Sequence, residues 1–297
     1  MKLATFIKDN RPSLGVKVGE EIIDVESALS IQPMKNVPTE VMDLIRGGDE
    51  SLSMLRSYIS NLDTGSDSPY VLNEKELDWG PCVTRPSKII CVGLNYRKHA
   101  DETNTAYPET PILFNKFNNT LTGNLCDIAV PKETEQLDYE VELGIVIGKS
   151  AKYVSKEEAL DYVYGCCTAN DLSARDLQFR TNQWLLGKSC DGFSPIGPYL
   201  VTMDDVGNPN NLSLKTVVNG EVRQNSNTSD MIFYCDEIVS YISQYMTLNP
   251  GDIILTGTPE GVVLGLPKEE RVYLQPGDEV TVEIEKLGEL TNKFVVE

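Results

Sequence analysis

The chain has 297 residues, of which 40% are hydrophobic and 24% charged, so it can form one large domain, or a large and a small one, around apolar cores. Its 45 acidic residues outnumber its 26 basic residues and give a formal net charge of −19. Because a surface of that sign repels phosphate backbones and anionic membranes, we expect neither nucleic acid nor a membrane as a partner. An anionic small substrate would need a local positive charge to hold it.

The cysteines and the N-terminus bear on the cellular compartment. The seven cysteines are scattered and lack C-x-x-C spacing, which is typical of reduced thiols. The N-terminal segment turns polar at Lys8, so it lacks the apolar core of a secretory signal, and no later apolar run approaches the length of a membrane span. These features predict a cytoplasmic protein.

The first part of the chain has the pattern of a small α+β unit. Short strands are predicted over residues 2–25, and two helical patterns lie within residues 39–62. The polar segment 63–69 then has the composition of a loop. The sequence therefore predicts a small N-terminal domain over residues 1–80 and a larger domain over residues 81–297.

The larger domain is predicted to consist mainly of short strands separated by turns. Pro-Gly-Asp turns that begin at Pro250 and Pro276 each precede an apolar or alternating segment. A capping-box pattern that begins at Ser155 predicts a helix that ends near Gly165. The balance of these elements predicts an α+β fold that is predominantly β.

Three acidic residues are candidate metal ligands. Glu140 and Glu142 alternate with apolar residues along one predicted strand, so their side chains share a face. Asp171 follows a second segment with the pattern of a buried strand. Three carboxylates without a nearby cysteine or histidine suit Mg²⁺ or Mn²⁺, with Ca²⁺ as an alternative, and do not suit zinc. The alternatives are a solvated strand face for the two glutamates and a helix N-cap for Asp171.

Other polar residues in the following segments could contact an anion. If Asp171 begins a helix, Arg175 and Gln178 share its face, although an exposed Asp–Arg pair is the alternative. Lys188 lies in a glycine-rich loop, where it can reach an anion or remain solvated. The turn around Thr258 can hold a carboxylate with its amides and hydroxyls, or it can be an ordinary tight turn.

His99 is the only histidine in the chain, so any catalysis that depends on histidine must use it. Glu102 lies three residues later, within reach across one helical turn, where it could orient the imidazole and raise its basicity. A surface histidine in an exposed ion pair is the alternative.

Taken in order, these motifs resemble the fumarylacetoacetate hydrolase superfamily over roughly residues 85–297. Val92 stands seven residues before His99, where the longer enzymes of tyrosine breakdown carry a fourth acidic ligand, and this favours the shorter bacterial branch. The matching blocks are the segment 93–102, Asp138-Tyr139-Glu140-Val141-Glu142-Leu143, the segment 170–178, Gly187-Lys188, and Thr256-Gly257-Thr258-Pro259-Glu260-Gly261.

The resemblance implies a mixed β-sandwich roll, usually a homodimer, and a set of residue roles. The polar stretch from the histidine to Pro108 would be a mobile lid. By position, the implied metal ligands are Glu140, Glu142 and Asp171, the catalytic residues are His99, Glu102 and Lys188, and the substrate-binding residues are Arg175, Gln178, Lys188 and Thr258.

The implied activity is metal-dependent hydrolysis of a carbon–carbon bond in a small anionic β-diketo acid, such as an acylpyruvate. In this hypothesis, His99 activates water, while the metal and Lys188 stabilise the negative charge that develops on oxygen. Two alternatives use the same metal-enolate site: decarboxylation of oxaloacetate, and keto–enol or 2-hydroxydienoate isomerisation. A non-enzymatic alternative is a metal-stabilised β module that binds a ligand.

Overall fold

A computed structural model describes residues 1–65 and 68–297 and shows short helices around two large β-sheets and a two-stranded one, which confirms the predicted predominantly β, α+β class. The strands are β1 (Lys2–Lys8), β2 (Arg11–Val18), β3 (Glu21–Asp24), β4 (Val71–Asn73), β5 (Ile89–Gly93), β6 (Ile112–Lys116), β7 (Leu121–Thr122), β8 (Asp127–Val130), β9 (Leu137–Asp138), β10 (Val141–Ile147), β11 (Val163–Asn170), β12 (Ser173–Ala174), β13 (Ser194–Thr202), β14 (Ser213–Val218), β15 (Glu221–Asn227), β16 (Ile253–Leu255), β17 (Glu279–Ile284) and β18 (Gly288–Val296). The helices are α1 (Val25–Ile31), α2 (Val41–Arg46), α3 (Gly48–Ser60), α4 (Arg97–Glu102), α5 (Arg175–Gln178), α6 (Leu185–Lys188), α7 (Met203–Val206) and α8 (Cys235–Tyr245). Single 3₁₀ turns cover Glu74–Glu76, Asn118–Thr120, Ala159–Tyr162, Thr228–Asp230, Val263–Gly265 and Lys268–Glu270.

The centre of the larger sheet is formed by β10 and β11, which are buried at every position. The sheet follows the order β4-β3-β2-β1-β13-β11-β10-β16-β5-β6. β10 is antiparallel to both β11 and β16, and β16 is parallel to β5. The start of β10 therefore lies at the same sheet edge as the ends of β11, β16 and β5, so segments that are distant in sequence meet there.

The second sheet packs on the first and completes the sandwich. Its order is β15-β14-β17-β18-β8. Val201 from the larger sheet shares one apolar core with Leu214 and Val282 from the smaller one. This arrangement confirms the sandwich architecture that the sequence predicts.

The N-terminal strands extend the larger sheet, because β1 pairs with β13 and places Lys2 opposite Val201. Leu3 and Leu14 pack in the same apolar cluster as Val146 of the central strand β10. The division between residues 1–80 and 81–297 stays a prediction. In the structure, strands of both parts belong to one sheet, and residues of both parts share one apolar cluster. Ser66 and Asp67 of the predicted boundary loop lie outside the described residues.

The helix predicted to begin at Ser155 is wrong. Ser155 Oγ does donate to Glu158 Oε2 at 3.0 Å, but the chain forms only a 3₁₀ turn before it enters β11. Gly165, the expected helix end, lies inside that strand, where a Cβ atom would come within 2.2 Å of the carbonyl oxygen of Val201. Close approach of two central strands explains this glycine, so pairing in the sheet outweighs the local helix signal.

No helix in the described part of the chain is both long and apolar enough to span a membrane.

Candidate active site

A cavity of about 610 Å³ opens at the sheet edge where β5, β10, β11 and β16 meet. Every predicted site residue except Asp171 lines the cavity. Asp171 clusters with two of the lining residues, Glu140 and Glu142. The residues that line the cavity include His99, Glu102, Glu140, Glu142, Arg175, Gln178, Lys188, Thr258, Gly265 and Arg271.

The three acidic candidates form one cluster. Oxygen atoms of Glu140, Glu142 and Asp171 lie within 4.8 Å of one another, and all three side chains are buried. Burial of the two glutamates contradicts the solvated-face alternative. Asp171 does not begin a helix, because its N–H donates to Glu140 O at 2.9 Å and so continues the pairing of β10 with β11.

Two buried lysines neutralise part of this cluster. Lys188, at the end of α6, donates to Glu140 Oε2 at 2.7 Å and to Asp171 Oδ2 at 2.8 Å. Lys116, at the end of β6, pairs with Asp171 and donates to Phe193 O at 2.6 Å. A lysine at the end of a short strand usually points to solvent, so no local pattern indicates that Lys116 is buried.

Arg175 links the cluster to a deeper acid. Its Nε donates to Asp138 Oδ2 at 2.9 Å, and its terminal nitrogen lies 2.7 Å from Glu140 Oε1. Burial alone would lower the pKa of Arg175, but the two carboxylates outweigh it and raise that pKa. Burial would likewise raise the pKa of Glu140, but Lys188 and Arg175 lower it to about 2. Glu140 is therefore a fixed anion.

Glu142 is the carboxylate that the protein leaves without a cation. Gly257 N–H donates to its Oε2 at 2.8 Å, and no lysine or arginine of the described residues pairs with it. Burial, together with Asp171 and Glu140, raises the pKa of Glu142 well above its usual range. A buried carboxylate beside two others, all offering oxygen, is the donor set that a hard divalent cation prefers. The residues present therefore fit Mg²⁺ or Mn²⁺.

His99 and Glu102 form a pair on α4 in which the histidine is buried and the glutamate half-buried. His99 Nδ1 lies 2.7 Å from Glu102 Oε1, and Glu102 Oε2 accepts from Gly261 N–H at 2.9 Å. His99 is only 7% exposed, which contradicts the alternative of an exposed surface pair. Because both oxygens of Glu102 accept hydrogen bonds, the carboxylate favours the tautomer that carries hydrogen on Nδ1. Nε2 is then left to exchange a proton with a bound molecule.

Gly265 lies directly against the Glu102 carboxylate. A Cβ atom at Gly265 would lie 2.4 Å from Glu102 Cδ. We expect Gly265→Ala to displace this carboxylate, and with it the imidazole, and to lower kcat/KM by about 10- to 100-fold. The thermal midpoint should change little, because only the end of one side chain must move. Repeating the substitution in a Glu102→Ala background is the control. An undiminished loss there would show that Gly265 does not act through Glu102.

Arg271 is a cavity residue that the sequence analysis missed. It follows Lys268-Glu269-Glu270 in a polar segment that has the composition of an ordinary surface turn. Only the folded chain places this segment over the cavity, so composition alone gave no signal for it.

Comparison with known proteins gives a consistent result. The family model for the C-terminal domain of fumarylacetoacetate (FAA) hydrolase matches residues 88–295. The oxaloacetate tautomerase FAHD2A of Bos taurus is 43% identical over 288 residues, which cover 96% of this chain and 88% of that protein. A fumarylacetoacetate hydrolase structure from Exiguobacterium antarcticum is 34% identical, with a TM-score of 0.83 over 100% of both chains.

A second solved structure is similar and contains ligands. It is a maleylpyruvate hydrolase from Sphingobium sp. in complex with manganese(II) and pyruvate. Its sequence is 28% identical, and the TM-score is 0.80 over 100% of this chain and 99% of that chain.

The prediction of a cytoplasmic protein is wrong. The bovine relative and its human counterpart, which is 42% identical over 261 residues, are both mitochondrial by name. The prediction rested on the lack of a secretory apolar core, but mitochondrial targeting segments have no such core, because they are amphipathic and rich in arginine. The lack of an apolar core therefore does not distinguish a cytoplasmic protein from a mitochondrial one.

Proposed function

Because the chain belongs to the fumarylacetoacetate hydrolase family, we propose that it is an enzyme that interconverts the keto and enol forms of oxaloacetate. The observation that carries the proposal is the His99–Glu102 pair, which lines the same cavity as Glu140 and Glu142. A tautomerase needs one group that moves a proton and one site that favours the enolate. The name of the bovine relative supports this choice of reaction.

In this proposal, Glu140, Glu142 and Asp171 would hold Mg²⁺ or Mn²⁺, and the manganese in the maleylpyruvate hydrolase structure supports a divalent ion. When bound, such an ion supplies a Lewis acid that makes the carbon next to a keto group more acidic.

The proton is moved by the histidine of this chain. His99 Nε2 takes a proton from the carbon next to the keto group, while Glu102 holds Nδ1–H and stabilises the imidazolium that forms. The same proton then goes to the keto oxygen, so that the enol forms and no other reactant is consumed. Lys188, buried beside the cluster, stabilises the negative charge that develops on oxygen.

Two further residues are left as hydrogen-bond donors to the substrate. Thr258 Oγ1 accepts from Gln224 Nε2 at 2.9 Å, so its own hydroxyl hydrogen can point elsewhere. Gln178 Oε1 accepts from Arg175 at 3.0 Å, which leaves the amide NH₂ group of Gln178 to donate. Both residues line the cavity, where donors suit the oxygens of an anionic keto acid.

Hydrolysis of a β-diketo acid is the second candidate function. The structural similarity to maleylpyruvate hydrolase supports it, and the same His99–Glu102 pair would then remove a proton from water. Decarboxylation of oxaloacetate would use the same enolate chemistry without that proton transfer.

An assay of the Mg²⁺- or Mn²⁺-supplemented protein with oxaloacetate and with acylpyruvate separates these functions. We expect the ultraviolet absorbance of enol-oxaloacetate to decay faster with the protein than with the protein in excess chelator. Release of CO₂ should stay at the uncatalysed rate, and acylpyruvate should not yield pyruvate. Rapid CO₂ release would instead identify a decarboxylase, and pyruvate from acylpyruvate a hydrolase. No acceleration with any of these substrates would favour the non-enzymatic ligand-binding module.

A further inference from the structure

Basic side chains that line the cavity differ in how they are neutralised. Three of them are already held by carboxylates of the protein itself. They are His99 beside Glu102, Arg175 beside Asp138 and Glu140, and Lys188 beside Glu140 and Asp171. A buried cation that is already paired with protein acids can stabilise a charge that develops beside it, but it is not free to pair with a further carboxylate of the substrate.

Arg271 is the exception. Within residues 1–65 and 68–297, no carboxylate lies at ion-pair distance from its guanidinium group, although the group lines the cavity. Its Nε donates to Leu266 O at 2.8 Å, which fixes the plane of the guanidinium. The Tyr273 hydroxyl lies beside the same group, and the terminal NH₂ groups pair with no carboxylate of the described residues. This is the geometry with which arginine binds a carboxylate through two parallel hydrogen bonds.

The segment that carries Arg271 is anchored to the strand that leads into the acidic cluster. Before Arg271, Leu264 N–H donates to Asp138 Oδ2 at 3.0 Å. After it, Leu274 N–H donates to Leu137 O at 2.8 Å. Both acceptors belong to β9, which ends two residues before Glu140. The position of Arg271 relative to the carboxylate cluster is therefore set by backbone and buried side-chain contacts.

We propose that Arg271 binds the second carboxylate of a keto dicarboxylate and so selects dicarboxylates over monocarboxylates of the same length. This inference rests on the proposed function, because it assigns the keto end of the substrate to the cluster of Glu140, Glu142 and Asp171. With a net charge of −19, the chain repels a dianion more than a monoanion unless a local cation compensates. Arg271 is that cation.

Binding of unreactive hydroxy acids to the Mn²⁺-loaded protein tests the inference without catalysis. Malate has the second carboxylate, whereas its 4-amide has the same shape without the charge. We expect Arg271→Gln to weaken the binding of malate by about 10- to 100-fold, measured by calorimetry, since a hydrogen-bonded charge is lost. Binding of the 4-amide should change by less than about twofold, because the amide cannot form the charged pair. The KM for oxaloacetate should rise with little change in kcat.

Lys268→Gln is the matched control, because it removes one positive charge from an exposed position of the same segment outside the cavity. It should leave malate binding unchanged. Equal weakening of malate and its amide by Arg271→Gln, or no weakening of either, would overturn the inference. If the wild type prefers malate to its 4-amide and Arg271→Gln does not, but the wild type fails to tautomerise oxaloacetate, the inference stands and the proposed function fails.

Discussion

Glu142→Gln is expected to abolish tight binding of Mn²⁺ and to make the metal-free protein more stable. The substitution keeps the acceptor for Gly257 N–H but removes a carboxylate that no described cation neutralises. A bound metal contributes several kcal/mol to a charged transition state, so we expect kcat/KM to fall by about 10³-fold even with excess Mg²⁺. Calorimetric titration with Mn²⁺ and assays across Mg²⁺ concentrations measure the two effects.

The gain in stability follows from the raised pKa of Glu142. The folded state binds this proton more tightly than the unfolded chain does, so the metal-free wild type loses stability as pH rises above the ordinary value of 4.5. Glu140, whose pKa is lowered to about 2, acts in the opposite direction and stabilises above 4.5. The difference between wild type and variant isolates Glu142, and at pH 7 in chelator we expect the variant to unfold at a higher temperature than the wild type.

Glu133→Gln is the control, since it removes the same charge at an exposed position outside the cavity. It should change neither Mn²⁺ binding nor the pH dependence of stability. A Glu142→Gln protein that binds Mn²⁺ like the wild type, or that unfolds more easily in chelator, would contradict the account of this site.

His99→Gln is expected to lower kcat for the tautomerase reaction by about 10²- to 10⁴-fold, the usual contribution of a general acid–base group. Binding of Mn²⁺ should stay within about twofold of the wild-type value, because an all-oxygen ligand set does not include the imidazole. Stopped-flow measurement of enol decay, with calorimetry on the same samples, separates these effects. Added imidazole should restore part of the activity of His99→Ala, since the truncated side chain opens space at the cavity wall.

Glu102→Gln provides the matched comparison. Its amide oxygen can still accept from His99 Nδ1–H, so we expect a smaller loss than for His99→Gln. Wild-type turnover in His99→Gln would exclude this proton-transfer role.

The central strands and their acids could be predicted from the sequence, because alternation and order carry that information. Glu140 and Glu142 fall on one face by periodicity alone, and the spacing of His99 and Glu102 fits one helical turn. The metal itself, the roles of these residues and the homodimer stay predictions.

The rest depends on contacts that join distant segments. Lys116 becomes a partner of Asp171 only because β5 and β6 pair at the sheet edge. In the sequence, Gly165 has the pattern of a helix end, whereas in the structure a neighbouring strand lies too close to its Cα for a side chain. Arg271 lies in a segment with surface composition, and only the hydrogen bonds to β9 bring it over the cavity. Local patterns do not contain such information.

The pairing of Val141 with Asn170 has a consequence for how the protein reaches its native state. Successive side chains in a strand point to opposite faces, so a slip of one residue between β10 and β11 would turn the glutamates away from Asp171. A ligand that needs all three carboxylates therefore stabilises only those chains whose central strands have paired correctly. The same ion that would serve the chemistry would also discriminate against misregistered sheets during folding.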